Sequence, residues 1–180
     1  AEIGCNHKGQ IEIAKDMIKV ASLCDVDIVK FQKRNNKELL TEDQYNLPHP
    51  NPSNSFGDTY GLHREFLEFS LSQHKELKDF SESLDLVYST SVWDKTSAEE
   101  IVSLNPSLIK VPSACNNNFD MLQVLRDDFH GEVHVSFGMT NRLEEEELVS
   151  FFEDNNQGLR LVLYSCTSGY PVPFQDVCML

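Results

Sequence analysis

Two lysines stand inside apolar runs, where an ammonium group is costly to place. Lys110 lies in Leu108-Ile109-Lys110-Val111-Pro112-Ser113, and Lys30 lies in Ile28-Val29-Lys30-Phe31-Gln32. Short runs this apolar, entered from turn residues such as Asn105-Pro106, read as buried parallel strands. A lysine in such a strand either meets an anion, becomes a reactive amine, or snorkels to solvent from the strand end. The same form occurring twice favours a pocket for an anionic substrate. Side chains alternate along a strand, so Lys30 and Gln32 share a face. Hydroxyls recur at the ends of other apolar runs, at Ser89-Thr90-Ser91, Ser113, Ser136 and Thr167-Ser168, and Glu2 adds a carboxylate. One such serine would carry no meaning. Repeated, and joined by two ammonium groups, they suit the oxygens of a phosphate or carboxylate.

Strands and helices must alternate to bring these residues together. Strands are expected at 1–4, 27–32, 86–91, 108–113, 132–136 and 161–165. Helices are expected at about 10–23, 65–84, from a capping box at Thr96-Ser97-Ala98-Glu99, at 119–126 and at 142–153. Phe66, Phe69, Leu77, Phe80 and Leu84 form the apolar stripe of the second helix. Residues 33–64 read as a long polar insertion holding Pro48, Pro50, Pro52 and Gly57, and its close at Thr59-Tyr60-Gly61-Leu62-His63-Arg64 suggests a functional segment such as a lid. Apart from that insertion, strands recur about every 25 residues, the size of a βα unit. Such alternation gives a (β/α)8 barrel or a doubly wound sheet, and neither G-x-G-x-x-G nor a Walker loop is present. A barrel typically needs about 250 residues. The 180 residues therefore read as one α/β domain supplying roughly the first six units of an incomplete TIM barrel.

The formal net charge of −14 argues against nucleic acid or an anionic membrane as partner. No apolar run reaches the ~20 residues of a membrane span, and no secretory leader is visible. Five cysteines without a C-x-x-C pair fit reduced thiols and a cytoplasmic setting. His7 lies in the first loop, as a structural residue or near the site. His49, His63, His74, His130 and His134 show no metal-ligand spacing on a common element, so no metal site is expected within these residues.

The chain resembles the sialic acid synthases. The resemblance rests on Glu2-Ile3-Gly4 with Asn6-His7-Lys8-Gly9, Val29-Lys30-Phe31-Gln32, Thr59-Tyr60-Gly61, Ser89-Thr90-Ser91 and Ile109-Lys110-Val111-Pro112-Ser113. It continues through Asn116-Asn117, Ser136-Phe137-Gly138-Met139 and Cys166-Thr167-Ser168-Gly169-Tyr170-Pro171. It implies a transferase that condenses phosphoenolpyruvate with N-acetylmannosamine or its 6-phosphate to a nine-carbon sialic acid, releasing phosphate. Lys30, Thr90, Lys110, Ser113, Ser136 and Ser168 would hold phosphoenolpyruvate. Gln32 and Tyr170 would face the sugar, and Glu2 would lie beside the reacting carbons. The resemblance also implies manganese or magnesium as cofactor with ligands beyond these residues, a C-terminal antifreeze-like domain absent here, and a homodimer. Cys115 stands where the family usually has a carboxylate, and is either near the sugar or a small buried residue. The readings beside this one are a legionaminic or pseudaminic acid synthase, a Schiff-base aldolase using Lys30 or Lys110, and an anion-binding module without turnover.

Overall fold

The computed structural model describes residues 1–169 and 171–177. Six strands, β1 (Glu2–Gly4), β2 (Ile28–Lys33), β3 (Val87–Val92), β4 (Leu108–Val111), β5 (Glu132–Phe137) and β6 (Leu161–Ser165), pair in sequential order. Every neighbouring pair is parallel. The helices are α1 (Ile11–Leu23), α2 (Asn36–Leu39), α3 (Glu42–Asn46), α4 (Tyr60–Phe66), α5 (Leu71–Glu82), α6 (Lys95–Ser103), α7 (Phe119–Asp127) and α8 (Arg142–Glu153).

One face of the sheet is apolar and carries the helices. Ile3, Val29, Phe31 and Tyr88 pack on Ala14, Ile18 and Ala21 of α1 and Leu77 of α5. Val92, Ile109, Val111, Val133 and Val135 pack on Ala98 and Ile101 of α6, Met121 and Leu122 of α7, and Leu148 and Phe152 of α8. Fully burying each Val, Leu, Ile, Met or Phe among them contributes about 1.5–3 kcal/mol. The alternate positions point the other way, and beside Ile28 and Leu108 they carry polar groups: Glu2, Lys30, Gln32, Ser91, Lys110, His134 and Ser136 all border one cavity. A doubly wound sheet reverses its strand order and covers both faces with helices. Sequential parallel strands with helices on one face are the βα units of a barrel, whose interior is the polar face.

The insertion is folded rather than loose. Asn35 caps α2, Thr41 and Gln44 form a capping box on α3, and Thr59 caps α4. The Thr59–Arg64 stretch borders no part of the cavity. Gly61 lies against the Tyr45 ring, where an added Cβ would come within 2.2 Å of the ring, so this stretch is a packing joint between α3 and α4. The expected helix at 65–84 is two helices. Ser70 and Gln73 form a capping box that starts α5 afresh. The start of α6 also differs from expectation. Asp94, not Thr96, is its cap, accepting the N–H of Ser97 at 2.7 Å and the Ser97 hydroxyl at 2.8 Å, while the Thr96 hydroxyl donates to Glu38.

Candidate active site

The strand register sets the site. Lys30 is level with Ser89, Gln32 with Ser91, Ser91 with Lys110, Lys110 with His134, and Ser136 with Tyr164. Matching phase carries Lys30, Gln32, Ser91, Lys110, His134, Ser136 and Tyr164 to one face, around a cavity of about 930 Å³, while Ser89 is buried with its hydroxyl on the Leu108 carbonyl.

Lys30 pairs with the Glu2 carboxylate and lies 3.4 Å from the Ser91 hydroxyl. Gln32 is held from both sides. Its amide donates to Glu2 at 3.5 Å, and its carbonyl accepts from the Trp93 indole at 2.6 Å. The amide dipole is thereby fixed toward the cavity. Lys110 donates to the Val111 carbonyl at 2.9 Å and to the Ser136 hydroxyl, and its Nζ sits 4.9 Å from the Tyr164 ring centre. Burial pushes the Lys110 ammonium down to about 8; the like charge of Lys30 pushes the same way, with Cys166 and Glu2 opposing. Two ammonium groups that feel one another across a cavity are prepared for an anion that neutralises both.

Beyond the lysines, Ser113 accepts the Gly138 N–H at 3.0 Å, and Ser168 donates to the Gly138 carbonyl. A Cβ on Gly138 would come within 2.8 Å of the Ser113 oxygen and 2.9 Å of the Ser168 oxygen. Glycine at 138 is therefore what lets the two hydroxyls close on the backbone. Asn116, 3% exposed, supports this rim by donating to the Ser136 carbonyl at 2.8 Å.

The cavity thus gathers Glu2, Lys30, Gln32, Lys110, Ser113, Ser136 and Ser168. Thr90 is not with them. It is in phase with Tyr88 and Val92 on the helix-bearing face and is fully buried there, so Ser91 takes the place on β3 expected of Thr90. Tyr170 lies outside the described residues. Cys115 is buried in the second apolar cluster and borders no part of the cavity, its thiol pushed up to about 11 by burial with Asp94 adding. His7 stacks on Phe69 at 4.0 Å and accepts the Gly9 N–H at 3.1 Å, which makes it a loop-packing residue.

Trp93, His134, Tyr164 and Cys166 also border the cavity, and reading by hydroxyl and ammonium type passed over them. The period of two would have found them, since each is in phase with a recognised site residue on its own strand or just beyond it. Among the described residues, no group of three or more His, Cys, Asp and Glu side chains could hold a metal ion. The donors facing the cavity include two lysines, a poor setting for a cation.

Residues 17–180 match the NeuB family. The chain belongs to that family. Among curated NeuB-related proteins, N-acetylneuraminate-9-phosphate synthase of Mus musculus is 32% identical over 176 residues, covering 98% of this chain and 48% of the relative. The N,N'-diacetyllegionaminic acid synthase of Campylobacter jejuni is 27% identical over 178 residues, with 98% and 53% covered. The chain spans about half the length of the curated relatives it matches. Among solved structures, N-acetylneuraminic acid synthetase of Leptospira borgpetersenii, in complex with citrate, superposes with a TM-score of 0.80. That match is 24% identical and covers 98% of this chain and 56% of that one. A truncated 3-deoxy-D-arabino-heptulosonate 7-phosphate synthase from Thermotoga maritima superposes with a TM-score of 0.55 at 12% identity, covering 85% of this chain and 45% of that one. Both structural likenesses support the barrel fold.

Proposed function

We propose that this NeuB-family chain carries the phosphoenolpyruvate half-site of a synthase that joins phosphoenolpyruvate to an N-acetylated amino sugar. The observation that carries the reading is the convergence of Lys30 and Lys110 on one cavity whose rim is set with Ser91, Ser113, Ser136 and Ser168. Phosphoenolpyruvate bears a phosphate and a carboxylate a few ångströms apart, and two ammonium groups with short hydroxyls match that pair. In the reaction, the enol carbon forms a bond to the sugar's aldehyde carbon, whose oxygen becomes a hydroxyl. Water adds to the cationic carbon left behind, and the C–O bond to phosphate breaks to give the keto acid and inorganic phosphate. Lys30 and Lys110 hold the departing phosphate and the carboxylate. Glu2 is placed beside Lys30 to bear or release a proton as charge develops, and Gln32 offers its fixed amide to the sugar. A divalent metal, manganese or magnesium, would be held by residues outside those described and would polarise the sugar's aldehyde as a Lewis acid.

The sugar in this proposal is N-acetylmannosamine or its 6-phosphate, following the 32% relatives. A nonulosonate precursor of the legionaminic type is the neighbouring choice, following the 27% relative. We place the protein in the cytoplasm, where phosphoenolpyruvate is made, and as a homodimer at full length. The test incubates the full-length protein with phosphoenolpyruvate and each sugar in turn and measures phosphate release and the nine-carbon product. Release with one sugar and none with the others supports the reading; no release with any of them overturns it. One observation favours a second reading. Lys110, set in an apolar strand with its ammonium on the Val111 carbonyl and pushed down to about 8 by burial, is also suited to forming a Schiff base with a carbonyl substrate. Borohydride trapping of an adduct on Lys110 would decide for that chemistry.

A further inference from the structure

A chain of three side chains joins β5 to β6 beside Lys110. Glu132 and His134 are alternate residues of β5, and Tyr164 of β6 is level with Ser136. His134 is 9% exposed and engaged at both nitrogens: Nδ1 lies 2.8 Å from the Tyr164 hydroxyl and Nε2 lies 3.0 Å from the Glu132 carboxylate. Tyr164 is different. It lies on β6, the last strand of the described sheet, and is 41% exposed there. Its hydroxyl is nevertheless tethered, and its ring is turned to the Lys110 ammonium with 4.9 Å between Nζ and the ring centre.

We propose that Tyr164 is the aromatic floor of the ammonium site, and that His134 is a positioning residue holding that floor under Lys110 through the tyrosine hydroxyl. The negative face of an aromatic ring favours an ammonium over a neutral amine, and more so when water is partly excluded. The other charged or titratable groups facing Lys110 are Lys30 from β2, Glu2 from β1 and Cys166 just past β6, with His134 of β5 at the tyrosine hydroxyl and Glu132 on the far nitrogen of that histidine. Lys30 disfavours the charged form, so the ring helps keep Lys110 charged and able to bind an anion. The inference deepens the reading of Lys110 as an anion-binding group and rests on it for its consequence, whereas its test reads Lys110 alone.

Competitive acetylation of the full-length protein across pH, quantified at Lys110 by mass spectrometry, gives that lysine's titration midpoint without substrate. Tyr164→Leu should lower the midpoint by about half a pH unit to one pH unit. Tyr164→Phe keeps the ring and loses the tether, and should lower it less; His134→Leu should match Tyr164→Phe. The double variant His134→Leu/Tyr164→Leu should fall no further than Tyr164→Leu alone, because the histidine acts through the ring. An unmoved midpoint in Tyr164→Leu, or a double variant in which the two effects add, overturns the inference. If the leucine variants fail to fold, Tyr164→Phe still decides, and a wild-type midpoint there overturns the tether. Should the midpoints move as stated while affinity for phosphoenolpyruvate measured above pH 8 stays constant, the floor stands and the proposed function falls.

Discussion

Lys110 donates to a main-chain carbonyl and a serine hydroxyl, which aim its head before any ligand arrives. An anion seated there gains a charge-assisted hydrogen bond, commonly about 1.5–3 kcal/mol. Lys110→Ala should accordingly weaken phosphoenolpyruvate binding by roughly 10- to 150-fold in calorimetry. Because burial lowers Lys110 to about 8, the ammonium is lost as pH rises through that value, and affinity should fall on the alkaline side. Lys110→Arg, whose guanidinium stays charged, should bind more weakly but lose this alkaline limb; a limb that persists in the arginine variant would exclude Lys110 as its source. At this scale the sequence was informative where residue type was unusual for its place. Two lysines within apolar strands announced themselves. Thr90 and Ser91 could not be told apart by type, since both are hydroxyl residues in one short run. Only the phase fixed by Tyr88 and Val92 on the buried face separates them.

The elements that present these residues are locked by buried polar joints. Arg34, just past β2, sends Nε to Glu68 at 2.5 Å and Nη2 to the Cys5 sulfur at 2.9 Å, while its own N–H reaches the same glutamate at 3.1 Å. The loops after β1 and β2, which follow Glu2 and Gln32, are thus tied to the link between α4 and α5. Burial pushes the Glu68 carboxyl up, and Arg34 pulls it down. Glu68→Leu would leave the guanidinium buried without its anion, a loss of about 3–5 kcal/mol measurable by urea unfolding. Asp94 is a second joint, capping α6 and accepting the Asn35 N–H at 2.7 Å. Asp94→Ala should lower stability by about 1–2 kcal/mol with the urea slope unchanged; a changed slope would mean that more than the cap was lost. The existence of the strands and of most helices was legible from periodicity. The helix starts were less so. Thr96-Ser97-Ala98-Glu99 satisfies the capping pattern, yet Asp94 offers two oxygens two residues earlier and wins. Within 65–84 the apolar stripe runs unbroken through a point where the Ser70–Gln73 box restarts the backbone.

Across the whole molecule, two neutral histidines make folding sensitive to acid. Burial holds His7 at about 4 and His74 at about 3, while both rings take up protons at about 6.5 once unfolded. Below pH 6.5 the unfolded chain therefore binds more protons than the folded one. The two rings should make stability fall with decreasing pH, by about 1.4 kcal/mol per pH unit for each ring, until about pH 4 for His7 and about pH 3 for His74. Urea unfolding between pH 7 and pH 4.5 measures this slope, and His74→Phe should make it shallower. A slope unchanged by that substitution would show that His74 is not its source. The alternation along the strands has a further reach, for it assigns the two jobs of the sheet to separate registers of the gene. Odd positions in β2 and β4, such as Val29, Phe31, Ile109 and Val111, grip the helices, while the even ones, Lys30, Gln32 and Lys110, face the cavity. Randomising every second codon within a strand would therefore let the chemistry of the cavity drift while the scaffold stayed still, and shifting the same library by one codon would do the reverse.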